Sequence, residues 1–194
     1  MNKRSYVFLA EGFEEIEALT VVDILRRANI DVTTVSITDN ATVKGAHGIP
    51  VVADALFANT DFANADWLIV PGGIPGAPNL AAFKPLCSLL QAHNRAGGRI
   101  AAICAAPAVV LSPLGILDGR EATGYPGTTD GIRGVNWRDS RVVVSGNVVT
   151  GNGPASAMQF ALTIVAQATE EAIAQQVGSG LLFYRRPADS NFYL

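Results

Sequence analysis

The sequence predicts an α/β fold: a three-layer α/β/α sandwich around a mostly parallel, doubly wound sheet. Three observations carry this. Segments such as "SYVFLAEG" and "DWLIVPGG" hold apolar runs that end at glycine, as strands buried on both faces do. Helical patterns alternate with these strands, as the crossovers of a parallel sheet require. At 194 residues and 49% hydrophobic, the chain is long and apolar enough for a real core.

Taken in order, "SYVFLAEG" is the first strand. "EEIEALTVVDILRRAN" follows with apolar residues near helical spacing. Its acids lead and Arg26 and Arg27 trail, which suits the helix dipole. "IDVTTVSI" alternates and is β-branched, so it reads as a second strand. "ATVKGAHGIPVVAD" reads as two short strands about a turn at Gly45–Gly48. "DWLIVPGGIPGAPN" is a strand entering a loop dense in Gly and Pro. "AAFKPLCSLLQAHNRAGG" is expected to be one amphipathic helix stopped by Gly97 and Gly98. Arg99–Ile103 is a buried strand, and Pro107 opens a helix. "REATGYPG" is expected to be another strand. "SRVVVSGNVVTGNGP" reads as a hairpin turning at Gly146–Asn147. "PASAMQFALTIVAQAT" and "EEAIAQQVG" read as helices. The chain is expected to be a single domain over 1–194, with a C-terminal tail from about residue 178.

Ligands of such sheets bind outside the carboxyl ends of the strands. "AEGFEEIE", "PGGIPGAPN" and "CAAP" each follow a strand, so all three are expected on one rim. Cys104 sits where a strand turns into a helix. There, unpaired N–H groups and the dipole favour thiolate, and a sharp turn exposes the sulfur. The plain alternative is a packed cysteine, since this residue type is often buried. Cys87, in mid-helix, reads as core filler. Glu14, Glu15 and Glu17 could serve only the helix dipole. If one of them faces the thiol, its pKa should rise through burial and like charge, and it becomes a candidate proton donor. The Pro71–Gly73 turn could bare backbone N–H groups for an oxyanion.

Other classes are excluded by what the sequence lacks. A net charge of −3 without a basic block argues against nucleic acid and anionic membranes. The apolar run at the start is too short for a signal peptide, and nothing approaches a membrane span. Two cysteines make no disulfide framework, which suggests a reducing, cytoplasmic compartment. Two distant cysteines and two distant histidines make no zinc set, so no metal is expected. His47 and His93 both lie off the predicted rim, which argues against a Cys–His hydrolase.

"AEGFEEIEALTVVDILRRANIDVTTVSI", "LIVPGG", "AAICAAPAVV" and "NGPASAMQFALTIV" together resemble the ThiJ/PfpI superfamily. Within it they are most similar to the branch of the Parkinsonism-associated deglycase and the YajL-like proteins. The resemblance runs from about Tyr6 to about Val177. It implies a flavodoxin-like fold related to class I glutamine amidotransferase domains, usually as a homodimer, with no cofactor. It also implies that Cys104 is the reactive cysteine and that Glu17 hydrogen-bonds to it, usually as the neutral acid. Gly73 and Ala105, with Gly72 beside them, would present N–H groups to substrate or oxidised sulfur. Tyr125 and Pro154 would form pocket wall.

Three positions depart from the family pattern. Ala106 stands where glycine is frequent, Tyr125 where some members carry histidine, and His47 where some carry arginine. The resemblance implies a cysteine-dependent stress-response protein acting on reactive carbonyls, such as methylglyoxal or glycated protein adducts. The alternatives are an oxidation-sensing redox chaperone and, with no pocket histidine, a disfavoured cysteine hydrolase or amidotransferase.

Overall fold

The computed structural model describes residues 4–184. A seven-stranded sheet runs through its centre in the order β10 (Val142–Ser145), β11 (Val148–Gly151), β7 (Arg99–Ile103), β6 (Ala65–Val70), β1 (Arg4–Leu9), β2 (Asp31–Ser36), β5 (Ala55–Leu56). The first half of the chain supplies β1 (Arg4–Leu9), α1 (Glu15–Arg27) and β2 (Asp31–Ser36). A small antiparallel pair, β3 (Thr42–Lys44) and β4 (Pro50–Val52), lies apart from the main sheet, and β5 (Ala55–Leu56) forms one edge of it. Next come β6 (Ala65–Val70), α2 (Gly76–Ala82), α3 (Lys84–Arg95) and β7 (Arg99–Ile103). The second half adds a two-stranded pair, β8 (Glu121–Ala122) with β9 (Asn136–Trp137), and the hairpin β10 (Val142–Ser145) and β11 (Val148–Gly151). Helices α4 (Ala157–Ala168) and α5 (Glu171–Gly180) close the described chain.

All main-sheet pairings are parallel except β10 with β11 at the far edge. This explains the strand composition. Val7, Phe8 and Leu9 of central β1 are fully buried, because helices cover both faces. On one face, α1, α4 and α5 bury residues such as Ile24, Leu25, Phe160 and Ile164. On the other, α2 and α3 bury Leu80, Leu86 and Leu90 against Phe8, Leu68 and Val70. Each fully buried side chain of this size contributes about 1.5–3 kcal/mol by leaving water. Together they fix which strand ends share a rim.

Strand order reverses at β1. The chain moves outward from β1 to β2, then returns to place β6 and β7 on the opposite side. The loops after β1, β6 and β7 therefore meet at a topological switch point, where such folds bind ligands.

Four expectations about elements need correction. The single helix expected from residue 81 to 98 is two, α2 and α3, broken at extended Phe83. Pro85 causes the break: it lacks an N–H, so it suits the first turn of a new helix and not the interior of a long one. The helix expected at Pro107 is a wide π-type turn over Pro107–Leu111 followed by a 3-10 turn over Ser112–Leu114, ended by left-handed Gly115. Pro113 removes a donor from a regular helix there. "REATGYPG" keeps strand geometry only at Glu121–Ala122, because Gly124 and Pro126 interrupt it. Helix α5 continues through Gly178 to Gly180, past the expected start of the tail. The Tyr184 ring lies over Gly178. The rest of the expected tail, 185–194, falls outside the described residues.

Candidate active site

Cys104 follows β7 directly and adopts φ 65°, in the left-handed region. For a non-glycine residue this conformation costs about 1–2 kcal/mol. Both backbone groups of Cys104 are pinned. Its N–H donates to the Gly151 carbonyl at 2.9 Å, and its carbonyl accepts from the Tyr125 N–H at 2.7 Å. These two bonds hold the elbow in place, and Cys104 as a whole is 9% exposed.

Glu17 is the acid that meets the thiol. It lies in the first turn of α1 and is fully buried. Its Oε2 accepts from the Gly72 N–H at 2.8 Å. Its Oε1 is buried and has no hydrogen-bond partner among the described residues. Burial, above all, raises the Glu17 pKa to about 7; the Glu14 charge adds to this, against the lowering effects of Cys104 and the Gly72 N–H. The rise expected for an acid beside the thiol is therefore present, from the causes expected.

The thiol behaves differently from expectation. Burial pushes Cys104 up to about 12, and the neighbouring Glu17 carboxylate pushes the same way. The N–H groups of Ala105 and Gly73 lower it but do not prevail. The dipole and donors at this corner were expected to favour thiolate; desolvation and a like charge outweigh them. The two groups thus titrate as a pair. Between about 7 and about 12 they hold one proton and one negative charge between them. When that proton sits on Glu17, the sulfur is a thiolate facing the Gly73 and Ala105 N–H groups.

Glycine is required at two positions here. A Cβ on Gly72 would stand 2.6 Å from Cys104 Cβ and 2.8 Å from Glu17 Oε2. Gly73 has φ +95°, and a Cβ there would strike the backbone of Gly12 and Glu14. The Gly72 N–H is engaged by Glu17, so it is Gly73 and Ala105 that face the sulfur, and Gly72 acts on the carboxylate instead. The first loop and the glycine loop are laced together. The Glu14 N–H donates to the Gly72 carbonyl at 3.1 Å, and the Gly76 N–H to the Gly12 carbonyl at 3.0 Å. Gly12 was not singled out from the sequence, where its only signal is a glycine after a strand.

Tyr125 is 48% exposed beside the elbow. Its ring edge lies 3.3 Å from where a Gly153 Cβ would stand, and Pro154 opens a 3-10 turn at the next residue. Glu14 and Glu15 do not face the thiol. They face His47, whose Nδ1 is 2.8 Å from Glu15 Oε2 and 3.7 Å from Glu14 Oε2. Burial alone would raise Glu15, but the His47 side chain and the N–H groups of His47 and Ile49 hold it below its ordinary value. His93 Nε2 lies 3.3 Å from the Asp66 carbonyl and 3.1 Å from that of Arg99, far from the rim. Cys87 is buried and donates to the Ala81 carbonyl at 3.2 Å.

A doubly wound sheet with a strained cysteine elbow against a buried glutamate defines a cysteine-centred α/β protein with no histidine partner among the described residues. The chain belongs to the DJ-1/PfpI family, whose pattern matches residues 3–167. It is 35% identical over 189 residues to Protein DJ-1 homolog B of Arabidopsis thaliana, covering 97% of this chain and 43% of that protein. The chain thus spans less than half the length of that relative. It is 36% identical over 158 residues to a Caenorhabditis elegans protein named glutathione-independent glyoxalase DJR-1.2, covering 80% of this chain and 82% of that one. Among solved structures, oxidised Toxoplasma gondii DJ-1 superposes with a TM-score of 0.90 at 37% identity, covering 93% of this chain and 98% of that one. The fold is the flavodoxin-like fold of this family. Among the described residues, no helix is long and apolar enough to cross a membrane.

Proposed function

We propose that this chain is a cofactor-independent stress-response enzyme that converts reactive 2-oxoaldehydes such as methylglyoxal to 2-hydroxy acids. It would act in the same way on their early adducts with protein side chains. Cys104 is the nucleophile and Glu17 the proton shuttle. The observation that carries this reading is the fully buried Glu17 carboxyl beside the Cys104 thiol, with Oε1 unpartnered among the described residues and its pKa raised by burial to about 7. A group poised there can both give and take a proton at neutral pH.

The steps balance without an external oxidant. In the tautomer with the proton on Glu17, the sulfur attacks the aldehyde carbon and Glu17 protonates the nascent alkoxide. This gives a hemithioacetal. The Gly73 and Ala105 N–H groups stabilise the oxyanion on the way. The Glu17 carboxylate then removes the hydrogen of the former aldehyde carbon as a proton, the hydroxyl proton passes to the ketone oxygen through an enediol, and Glu17 returns its proton to the neighbouring carbon. The first carbon is oxidised and the second reduced, leaving a thioester. Water hydrolyses the thioester to lactate and restores the thiol. Tyr125 forms the outer wall where a short substrate enters. The relative named as a glyoxalase supports this reading. The working unit we propose is a homodimer of single-domain chains.

The test is lactate formation from methylglyoxal by wild type, Cys104→Ser and Glu17→Gln, with both enantiomers of the product resolved. Wild type should turn over, and both variants should fall to the uncatalysed rate. Equal slow rates in all three would remove the proposal. A second reading, in which oxidation of Cys104 is itself the signal and the protein acts as a redox chaperone, is favoured by the same N–H pair facing the sulfur.

A further inference from the structure

Two large side chains of apolar body stand exposed at the rim that carries Cys104: Ile74 at 64% and Tyr125 at 48%. We propose that they form a collar around the sulfur that selects substrates by an apolar substituent. The preferred 2-oxoaldehydes then carry a branched alkyl or aryl group on the ketone carbon in place of methyl. This inference rests on the functional reading above and names the substrate class within it.

The sheet order puts the two side chains on opposite flanks of Cys104. β7 ends at Ile103, Cys104 follows, and the neighbours of β7 are β6 on one side and β11 on the other. The loop after β6 carries Gly73, whose N–H faces the sulfur, and Ile74 is the next residue. The loop after β11 carries Gly153, and the Tyr125 ring edge lies 3.3 Å from where a Cβ on Gly153 would stand. The Tyr125 N–H also donates to the Cys104 carbonyl at 2.7 Å. Ile74 is thus one residue from an oxyanion donor, and Tyr125 is one hydrogen bond from the nucleophile's own backbone.

Ile74 is held outward by what surrounds it in the chain. On one side of it, a Cβ on Gly73 would strike the backbone of Gly12 and Glu14. On the other, Pro75 packs against Gly12, and the Gly76 N–H donates to the Gly12 carbonyl at 3.0 Å. The loop is anchored before and after Ile74, while the isoleucine itself is left in water. A single exposed apolar residue is ordinary on a protein surface. Two that bracket a nucleophile offer a bound molecule apolar cover from both sides.

The chemistry of the adduct places the substituent there. In the hemithioacetal the substituent begins three bonds from the sulfur, beyond both the former aldehyde carbon and the ketone carbon. It therefore reaches the mouth while the reacting carbons stay beside Glu17. Apolar atoms covered by the collar leave water, so binding strengthens as the substituent grows. The first-loop acids Glu14 and Glu15 turn to His47 and away from the sulfur, so neither presents a charge to that substituent.

The experiment compares methylglyoxal with 4-methyl-2-oxopentanal, its isobutyl counterpart, on wild type, Ile74→Ala, Ile74→Leu and Tyr125→Ala. The product acids are measured, and the readout is the ratio of kcat/KM for the larger aldehyde to that for the smaller. Comparing ratios between proteins cancels the aldehydes' own reactivities. Wild type should favour the larger by about tenfold. Ile74→Ala and Tyr125→Ala should each lower the ratio by about threefold or more, and Ile74→Leu, which keeps the apolar bulk, should retain it. Alkylation of Cys104 by N-benzyliodoacetamide against iodoacetamide, read by peptide mass, poses the same question without turnover. The benzyl reagent should react faster with wild type, and both alanine variants should lose that advantage. If wild type turns over neither aldehyde, the functional reading fails and the alkylation ratio still decides the collar. A turnover ratio at or below one overturns the substrate class. An alkylation ratio that neither alanine variant changes overturns the collar itself.

Discussion

Glu17→Gln should make the protein more stable at pH 8, by an amount that shrinks to nothing near pH 4. Glu17 is fully buried and its pKa rises from 4.5 to about 7. The folded state therefore binds a proton that the unfolded state releases between those values. That proton contributes fully below pH 4.5, and the contribution is lost as pH rises through about 7. At about 1.4 kcal/mol per pH unit, holding the carboxylate buried costs about 3 kcal/mol at pH 8. Glutamine removes that cost. Its amide oxygen can still accept the Gly72 N–H, and its NH2 group can face the sulfur. For a chain of this size, about 3 kcal/mol corresponds to a rise of about 6–12 °C in Tm. Thermal unfolding of wild type and variant from pH 4 to pH 8 checks this. A difference that stays flat across that range, or a variant less stable at pH 8, would refute the account of Glu17 as a buried acid neutral below about 7.

Other consequences follow from the same geometry. Alkylation of Cys104 should climb through a step near pH 7, as the pair loses its first proton, and climb again toward pH 12. Glu17→Leu should abolish the lower step, as followed by iodoacetamide and intact mass. Gly72→Ala should be damaging, because its Cβ would stand 2.6 Å from Cys104 Cβ and 2.8 Å from Glu17 Oε2. We expect a loss of about 1–3 kcal/mol in chemical denaturation from the overpacking, with carbonyl turnover gone. Mild peroxide should add two oxygens at Cys104 and none at Cys87, read by peptide mass, because both are buried and only Cys104 has an acid, Glu17, beside it to take the thiol proton. Equal oxidation of the two cysteines would remove the redox reading.

The rim was legible in the sequence because apolar strands flanked by helices leave one topology class and one ligand-binding edge. Cys104, the Gly72–Gly73 turn and the first-loop acids were all placed on that rim by strand ends alone. The choice among the acids was not legible from the residues themselves. Glu14, Glu15 and Glu17 share one helical turn, and only packing shows that Glu17 faces the sheet while the other two face the loop carrying His47. The resemblance to a known family named Glu17, and the structure supplies the reason. The direction of the thiol's shift was also beyond the sequence, since desolvation depends on what covers the sulfur. The breaks at Phe83 and after Pro107 were signalled by Pro85 and Pro113, which the reading of periodicity passed over.

The lacing among Gly12, Glu14, Gly72 and Gly76 has one more implication. The Cys104 thiol, the buried Glu17 carboxyl and the Gly73 and Ala105 N–H groups come from three stretches of chain far apart in sequence, brought into register by neighbouring strands and by this lacing. No excised peptide could retain a fraction of the reactivity. Limited proteolysis that severs any of the three crossovers should silence the sulfur in a single step, as a switch and not as a gradual decline.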